Sequence, residues 1–198
     1  MAKQRKLTLL VSSAVYGFEE LLDRIYSELA GFNYEVWMSH KGTVPVDPKL
    51  TALESCLNAV RNCDLFLGII LPMYGTGRKT DKADSITHEE LKLAIELNKP
   101  RWILAHDHVV FARQLLRHLG YDTREKRARL TLKRSPALQD LRVLDMYDLA
   151  ARHDVATYEK RRGNWVQKFG SDEEAQLFAV SQFRRFQEAE GFVREFLK

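Results

Sequence analysis

The chain has 198 residues, 45% of them hydrophobic and 29% charged, with a formal charge of +4. That size and balance suit one generous α/β domain, or a compact domain with an added helical layer, and exclude overall disorder. No apolar run approaches the roughly 20 residues needed to span a bilayer, so no membrane partner is expected.

The basic start of the chain leads into LTLLVS, Leu7 to Ser12. An apolar run of about six residues is too short for the core of a signal peptide, so it reads as a first strand. Phe18, Leu21, Leu22, Ile25, Tyr26 and Leu29 then recur at helical spacing as far as Gly31. Tyr34 to Met38 alternates like a short strand. Leu50, Leu53, Leu57 and Val60 mark a second amphipathic helix, with Asp47 as its expected cap and Pro48 at its first position. Cys56 and Cys63 lie seven apart in or beside that helix. Such a pair argues against a disulfide framework and fits a reduced, cytoplasmic compartment.

Asp64 to Leu71 is the third strand, followed by a turn at Pro72-Met73-Tyr74-Gly75 and a polar loop, Thr76 to Ser85. A third helix is expected from Thr87 to about Asn98, then a strand at Trp102 to Ala105 and a helix from Val109 to Leu119 that stops at Gly120. Four β-then-α units with apolar strands imply a parallel sheet covered by helices on both faces. Beyond Gly120, Ser135-Pro136 reads as a helix start, Leu141 to Met146 as the fifth strand and Tyr147 to about Arg162 as helix. Ser171 with Glu174 opens a long terminal helix carrying Leu177, Phe178, Val180, Phe183, Phe186 and Phe192 at core-like positions. Trp165 and Phe169 read as core. The expected organisation is one domain, 1–198, with a core over 1–120 and the fifth strand and a helical extension over 121–198.

With a strand order 2-1-3-4-5, the sheet has a switch point between its first and third strands, where open α/β sheets bind ligands. Ser12 and Ser13 end one of those strands, and Tyr74 and Gly75 follow the other. Arg78, Lys79 and Lys82 lie on the polar loop over the crevice, and Glu90 stands in the first turn of the third helix. Two roles fit Glu90. In Thr87-His88-Glu89-Glu90 it can close a capping box on Thr87. It can also serve as a carboxylate that a helix N-terminus favours in ionised form.

Other patterns point less far. His106-Asp107-His108 offers three adjacent ligand types without a partner cluster, so no metal is expected, and Asp107 serves as a helix cap instead. His40 and His88 could line the crevice. Thr123 to Arg134 concentrates six basic residues against Glu125 alone, with a second basic patch at Lys160 to Arg162. These patches suit phosphate, nucleic acid or an acidic partner, or form a solvated face. Phosphate-loop and nucleophile-elbow motifs are lacking, which disfavours an NTPase or an α/β-hydrolase.

Three stretches together resemble a known family: Val11-Ser12-Ser13, the run Cys63 to Gly75, and Ser85-Ile86-Thr87-His88-Glu89-Glu90 through Ala94. They are similar to a bacterial family of uncharacterised domains, often N-terminal to signalling ATPases, that looks like a branch of the TIR and nucleoside 2-deoxyribosyltransferase superfamily. The resemblance covers residues 7 to 106. It departs from the family pattern where Gly17-Phe18-Glu19-Glu20 leaves the usual acidic run incomplete. It implies a flavodoxin-like, TIR-like fold and cleavage of a ribosyl–base bond, with NAD or a related nucleotide as substrate and no separate cofactor. Carried over, Glu90 would be nucleophile or stabiliser of an oxocarbenium-like sugar. Ser12 or Ser13 would bond ribose or phosphate, with Ser85 and Gly75 beside them. Tyr74 would stack on the base, and Arg78 or Lys79 would neutralise a diphosphate. The same resemblance implies a homo-oligomer. A non-catalytic signalling or nucleotide-sensing domain and a nucleic-acid-binding protein are the competing expectations.

Overall fold

In the computed structural model, which describes residues 6–75, 83–133 and 137–196, five parallel strands form one sheet in the order β2-β1-β3-β4-β5. The strands are β1 (Thr8–Ser13), β2 (Glu35–Trp37), β3 (Leu65–Ile70), β4 (Arg101–His106) and β5 (Val166–Phe169). This is the flavodoxin-like arrangement expected from the sequence. Every residue of β3 is buried and β1 is buried up to Ser12, because helices cover both faces of the sheet.

Alternation along each strand divides the core. Leu9 and Val11 of β1 and Leu65, Leu67 and Ile69 of β3 face α1 (Glu19–Gly31) and α7 (Asp172–Phe183). Leu10, Phe66, Ile70, Ile103 and Ala105 face the other layer. That layer holds α2 (Ala52–Asn62), α3 (Ile86–Glu96), α4 (Asp107–His118) and α6 (Arg142–Ala150). By the same period of two, Ser12 shares the face of Leu10 and points toward the α2–α3 side. Its register partner on β3 is Gly68. A Cβ on Gly68 would stand 2.9 Å from Ile103 Cδ1 and 3.1 Å from a Phe66 ring carbon, so a side chain there forces Ile103 to shift.

Several sequence expectations are corrected. Leu141 to Met146 is not the fifth strand: α6 begins there, because Val143, Leu144, Met146 and Ala150 bury one helical face while Asp145 and Asp148 turn to arginines. β5 instead comes from Val166–Phe169, a four-residue edge strand paired only with β4. The helix expected through Arg162 stops at Ala150, and Arg152 at φ 55° turns the chain away. The terminal helix breaks near Arg184 into α7 and α8 (Phe186–Phe196). The core positions expected for Phe186 and Phe192 concern side chains outside those described, and Ser135-Pro136 lies outside the described residues. Phe169 and Phe183 are core, but Trp165 is 72% exposed and Leu177 66% exposed.

Two caps move as well. α2 starts at Thr51, which forms a full capping box with Glu54, while Asp47 holds the preceding turn through the Lys49 and Leu50 amides. α4 is capped by His106, not Asp107. At α7 the expected Ser171 cap is present, accepting from the Glu174 amide, although the Glu174 carboxylate reaches back to the Gly170 amide.

Candidate functional site

The N-cap of α3 is Ser85, whose hydroxyl accepts from the His88 amide. This displaces the capping box expected at Thr87 and frees Glu90 from any capping duty. Glu90 is 6% exposed and lies on the buried face of α3 with His88, Leu91 and Ala94. The Ser12 hydroxyl donates to its Oε2 at 2.5 Å. Cys56, on α2, stands beside the carboxyl group and acts on its charge. Three elements therefore converge on one carboxyl group: the end of β1, the middle of α2 and the first turns of α3.

Burial dominates the electrostatics of this group. It pushes the Glu90 carboxyl up to about 7, although the hydrogen bond from Ser12 and the neighbouring Cys56 pull the other way. Burial, reinforced by the Glu90 charge, pushes the Cys56 thiol up to about 12. Cys56 is thus a neutral thiol rather than a nucleophile near pH 7. Sequence reasoning missed its role; only its position on the inward side of a helix neighbouring α3 could have suggested it.

A second cluster anchors the start of α3. Tyr74 is buried, and its hydroxyl lies 2.9 Å from Asp84 Oδ1 and 2.7 Å from His88 Nδ1 and accepts from the Ser85 amide. Burial drives the His88 ring down to about 4, against the pull of Asp84, so it is neutral at pH 7. A consistent set of protons has neutral His88 donating to Tyr74 and Tyr74 donating to Asp84. Burial works against the Asp84 charge. Lys92, then the His88 charge, Tyr74 and Arg124 outweigh it and hold that carboxyl well below the usual range. Arg142 lies 4.3 Å above the Tyr74 ring and donates to the Ala83 carbonyl at 2.8 Å. One face of Tyr74 is therefore already covered.

The other sequence candidates scatter. Ser13 donates to the Ala14 carbonyl at 2.7 Å and does not reach Glu90. Gly75, at φ 79°, sits where a Cβ would meet Thr87 and Ala14 at 3.5 and 3.6 Å, so it closes the turn after β3 against β1 and α3. Arg78 and Lys79, with Lys82, lie outside the described residues. His40 pairs with Asp23 at 3.0 Å and stands apart from Glu90's partners. Asp64, at the opposite end of the sheet, accepts from the Thr8 amide and hydroxyl and fixes how β1 and β3 begin.

The basic segment is not a uniformly solvated face. Arg124 pairs with Asp84 at 2.9 Å, and Arg127, 4% exposed, pairs with Asp145 and Asp148 at 2.6 and 2.8 Å. Arg129 and Lys133 stay exposed. A cavity of about 610 Å³ lies beside Arg124, Leu132, Leu141 and Arg142. It borders the anchoring cluster, and Glu90 is not among its lining residues.

The sheet order and the helices on both faces define a flavodoxin-like α/β protein with a buried carboxyl group at its switch point. The chain belongs to a family described as a domain of unknown function, DUF4062, whose model matches residues 9–135, more than half its length. No curated protein matches the chain. Among the described residues, no helix is long and apolar enough to cross a membrane.

Proposed function

We propose that the protein is a nucleotide-directed N-glycosidase that hydrolyses NAD or a related nucleotide at the Ser12–Glu90 site. The observation that carries the reading is a buried carboxyl group pushed up to about 7, held by Ser12 at the switch point. Such a group is divided between its two forms near neutral pH, and a cationic substrate beside it favours the ionised one. In hydrolysis the C1′–N bond breaks, and its electron pair leaves with nicotinamide. Ionised Glu90 stabilises the oxocarbenium-like ribosyl group, and water then adds at C1′ and releases its proton to the carboxylate or solvent. TIR-like ancestry, a cytosolic location, homo-oligomeric assembly and a role in stress or phage-defence signalling belong to the same proposal and follow from the superfamily resemblance.

The test is incubation of the purified chain with NAD and with nucleosides, followed by chromatography of the products. Glu90→Gln is expected to lower turnover by roughly 10²–10⁴-fold, the range for loss of a group acting on the transition state. Undiminished turnover in that variant would remove Glu90 from the mechanism.

A specific observation also favours a second reading, a non-catalytic nucleotide-sensing domain. Glu90 is only 6% exposed, and the Tyr74 ring offered for base stacking is covered on one face by Arg142. That reading expects nucleotides to raise the melting temperature without being turned over.

A further inference from the structure

At the carboxyl end of β4, three acceptor atoms converge outside the Glu90 site. His106 Nδ1 lies 3.0 Å from Asp107 Oδ1, and His108 Nε2 lies 3.9 Å from the same oxygen. All three atoms fall within 4.8 Å of one another. His106 is the N-cap of α4. Its Nδ1 accepts the His108 backbone N–H at 3.2 Å, which places the ring proton on Nε2. Nδ1 and Oδ1 therefore stand 3.0 Å apart as two acceptor atoms with no hydrogen bond between them. Asp107 Oδ1 is moreover a buried atom without a hydrogen-bond partner. Two acceptors at that separation repel unless a cation lies between them.

We propose that His106, Asp107 and His108 form a binding site for a divalent transition-metal ion of the zinc class. Two imidazoles and one carboxylate are the donor set of such ions. In a tetrahedral site with bonds of about 2.1 Å, ligand atoms stand about 3.4 Å apart. The separations of 3.0 and 3.9 Å to Asp107 bracket that figure, and the two imidazole nitrogens lie within 4.8 Å of each other, so rotation of the exposed His108 and of Asp107 toward His106 completes the geometry. The hydrogen bond from the His108 amide is given up on binding. That amide is one of the unpaired donors of a helix's first turn, so water can replace the contact. The α4 N-terminus opposes a cation, and the charges of Asp107 and nearby Asp172 offset it. Gly170 leaves space for the second carboxylate oxygen, since a Cβ there would stand 3.1 Å from Asp107 Oδ2. Phe18, Phe169 and His108 pack edge-on against the His106 ring and fix its orientation. His108 is exposed, which leaves the remaining coordination positions open to solvent.

The experiment is calorimetric titration of the full chain, free of any histidine tag, with Zn²⁺, alongside visible absorption with Co²⁺ as a spectroscopic substitute. One ion per chain and Co²⁺ ligand-field bands are expected. Asp107→Asn and His108→Ala should each weaken Zn²⁺ binding at least ten-fold and abolish the bands. His118→Ala, at the far end of α4, should leave both unchanged. His108 is exposed, so its variant folds, which circular dichroism verifies. Failure of the wild-type chain to bind one Zn²⁺ in the micromolar range overturns the proposal. Binding equally tight in the Asp107 and His108 variants overturns it too.

Discussion

Glu90→Gln tests the central claim about the candidate site without requiring any substrate. The ordinary value of the Glu90 carboxyl is 4.5, and burial raises it to about 7. Between those values the folded chain holds a proton that the unfolded chain has released. Stability from this group is therefore fully present below about pH 4.5 and is lost as pH rises through 7. At 1.36 kcal/mol per pH unit the loss comes to about 3 kcal/mol by pH 8. His88 works in the opposite sense. Its ring falls from 6.5 to about 4, so the unfolded chain holds the extra proton and stability rises with pH between those values. The two trends nearly cancel in the wild-type chain from about pH 4.5 to 6.5, so a wild-type profile alone is uninformative. Gln is neutral at every pH and can still accept from Ser12. Denaturant unfolding at pH 5 and pH 8 should therefore show the variant gaining, relative to wild type, about 2–3 kcal/mol between the two conditions. For a chain of this size that is a melting shift on the order of 5–10 °C. If the wild-type and variant profiles run parallel from pH 5 to 8, the Glu90 carboxyl is not held up by burial, and the electrostatic basis of the site fails.

Two further predictions test the frame around it. Gly68→Ala adds a methyl group 2.9 Å from Ile103 Cδ1 on the strand that pairs with Ser12. It should cost about 1–3 kcal/mol in urea unfolding; an unchanged midpoint would mean that Ile103 has room to turn away. Arg127→Ala removes the partner that Asp145 and Asp148 share, leaving Arg124 near the first and Arg113 on the second, and should cost about 1.5–3 kcal/mol, the range for losing charged hydrogen bonds. Lys126→Ala in the exposed Asp122 pair should cost less than about 0.5 kcal/mol. Equal effects in the two variants would contradict the view that the basic segment has one buried and one solvated face.

Much of the sheet was legible because its signals are local. Continuous apolar runs at Leu7–Ser12 and Asp64–Leu71, with helical spacing between them, describe buried parallel strands and their crossovers. Given the strand order 2-1-3-4-5, the switch-point rule brought Ser12 and the start of the third helix to one crevice, although not the direct bond between Ser12 and Glu90. The region after Gly120 was harder, for two reasons. Leu141 to Met146 contains enough apolar residues for either a strand or one helical face, and only the partners of Asp145 and Asp148 decide the matter. β5 is a short edge strand with a half-exposed pattern, so its four residues carry little periodic signal. The capping reading of Glu90 failed because Ser85 and Thr87 both suit an N-cap. The choice rests on Tyr74, whose hydroxyl accepts from the Ser85 amide and bonds Asp84.

That last contact changes the standing of the C-terminal half. Read from the sequence, residues 121–198 are an extension of a core that ends near Gly120. In the fold, Arg124 grips Asp84, Arg142 grips the Ala83 carbonyl and covers Tyr74, and Gln139 accepts from the Tyr74 amide. These contacts fix residues 83–85, the step from which α3 starts, and so set the rotation of the helix that carries Glu90. A one-residue change in that starting point turns the helix by about 100° and takes Glu90 off the face that meets Ser12. The arginines after Gly120 thus act as positioning residues for the carboxyl group through the start of α3, by way of Asp84 and the Ala83 carbonyl. They do so because α3 needs a fixed start before its first buried turn can specify a site.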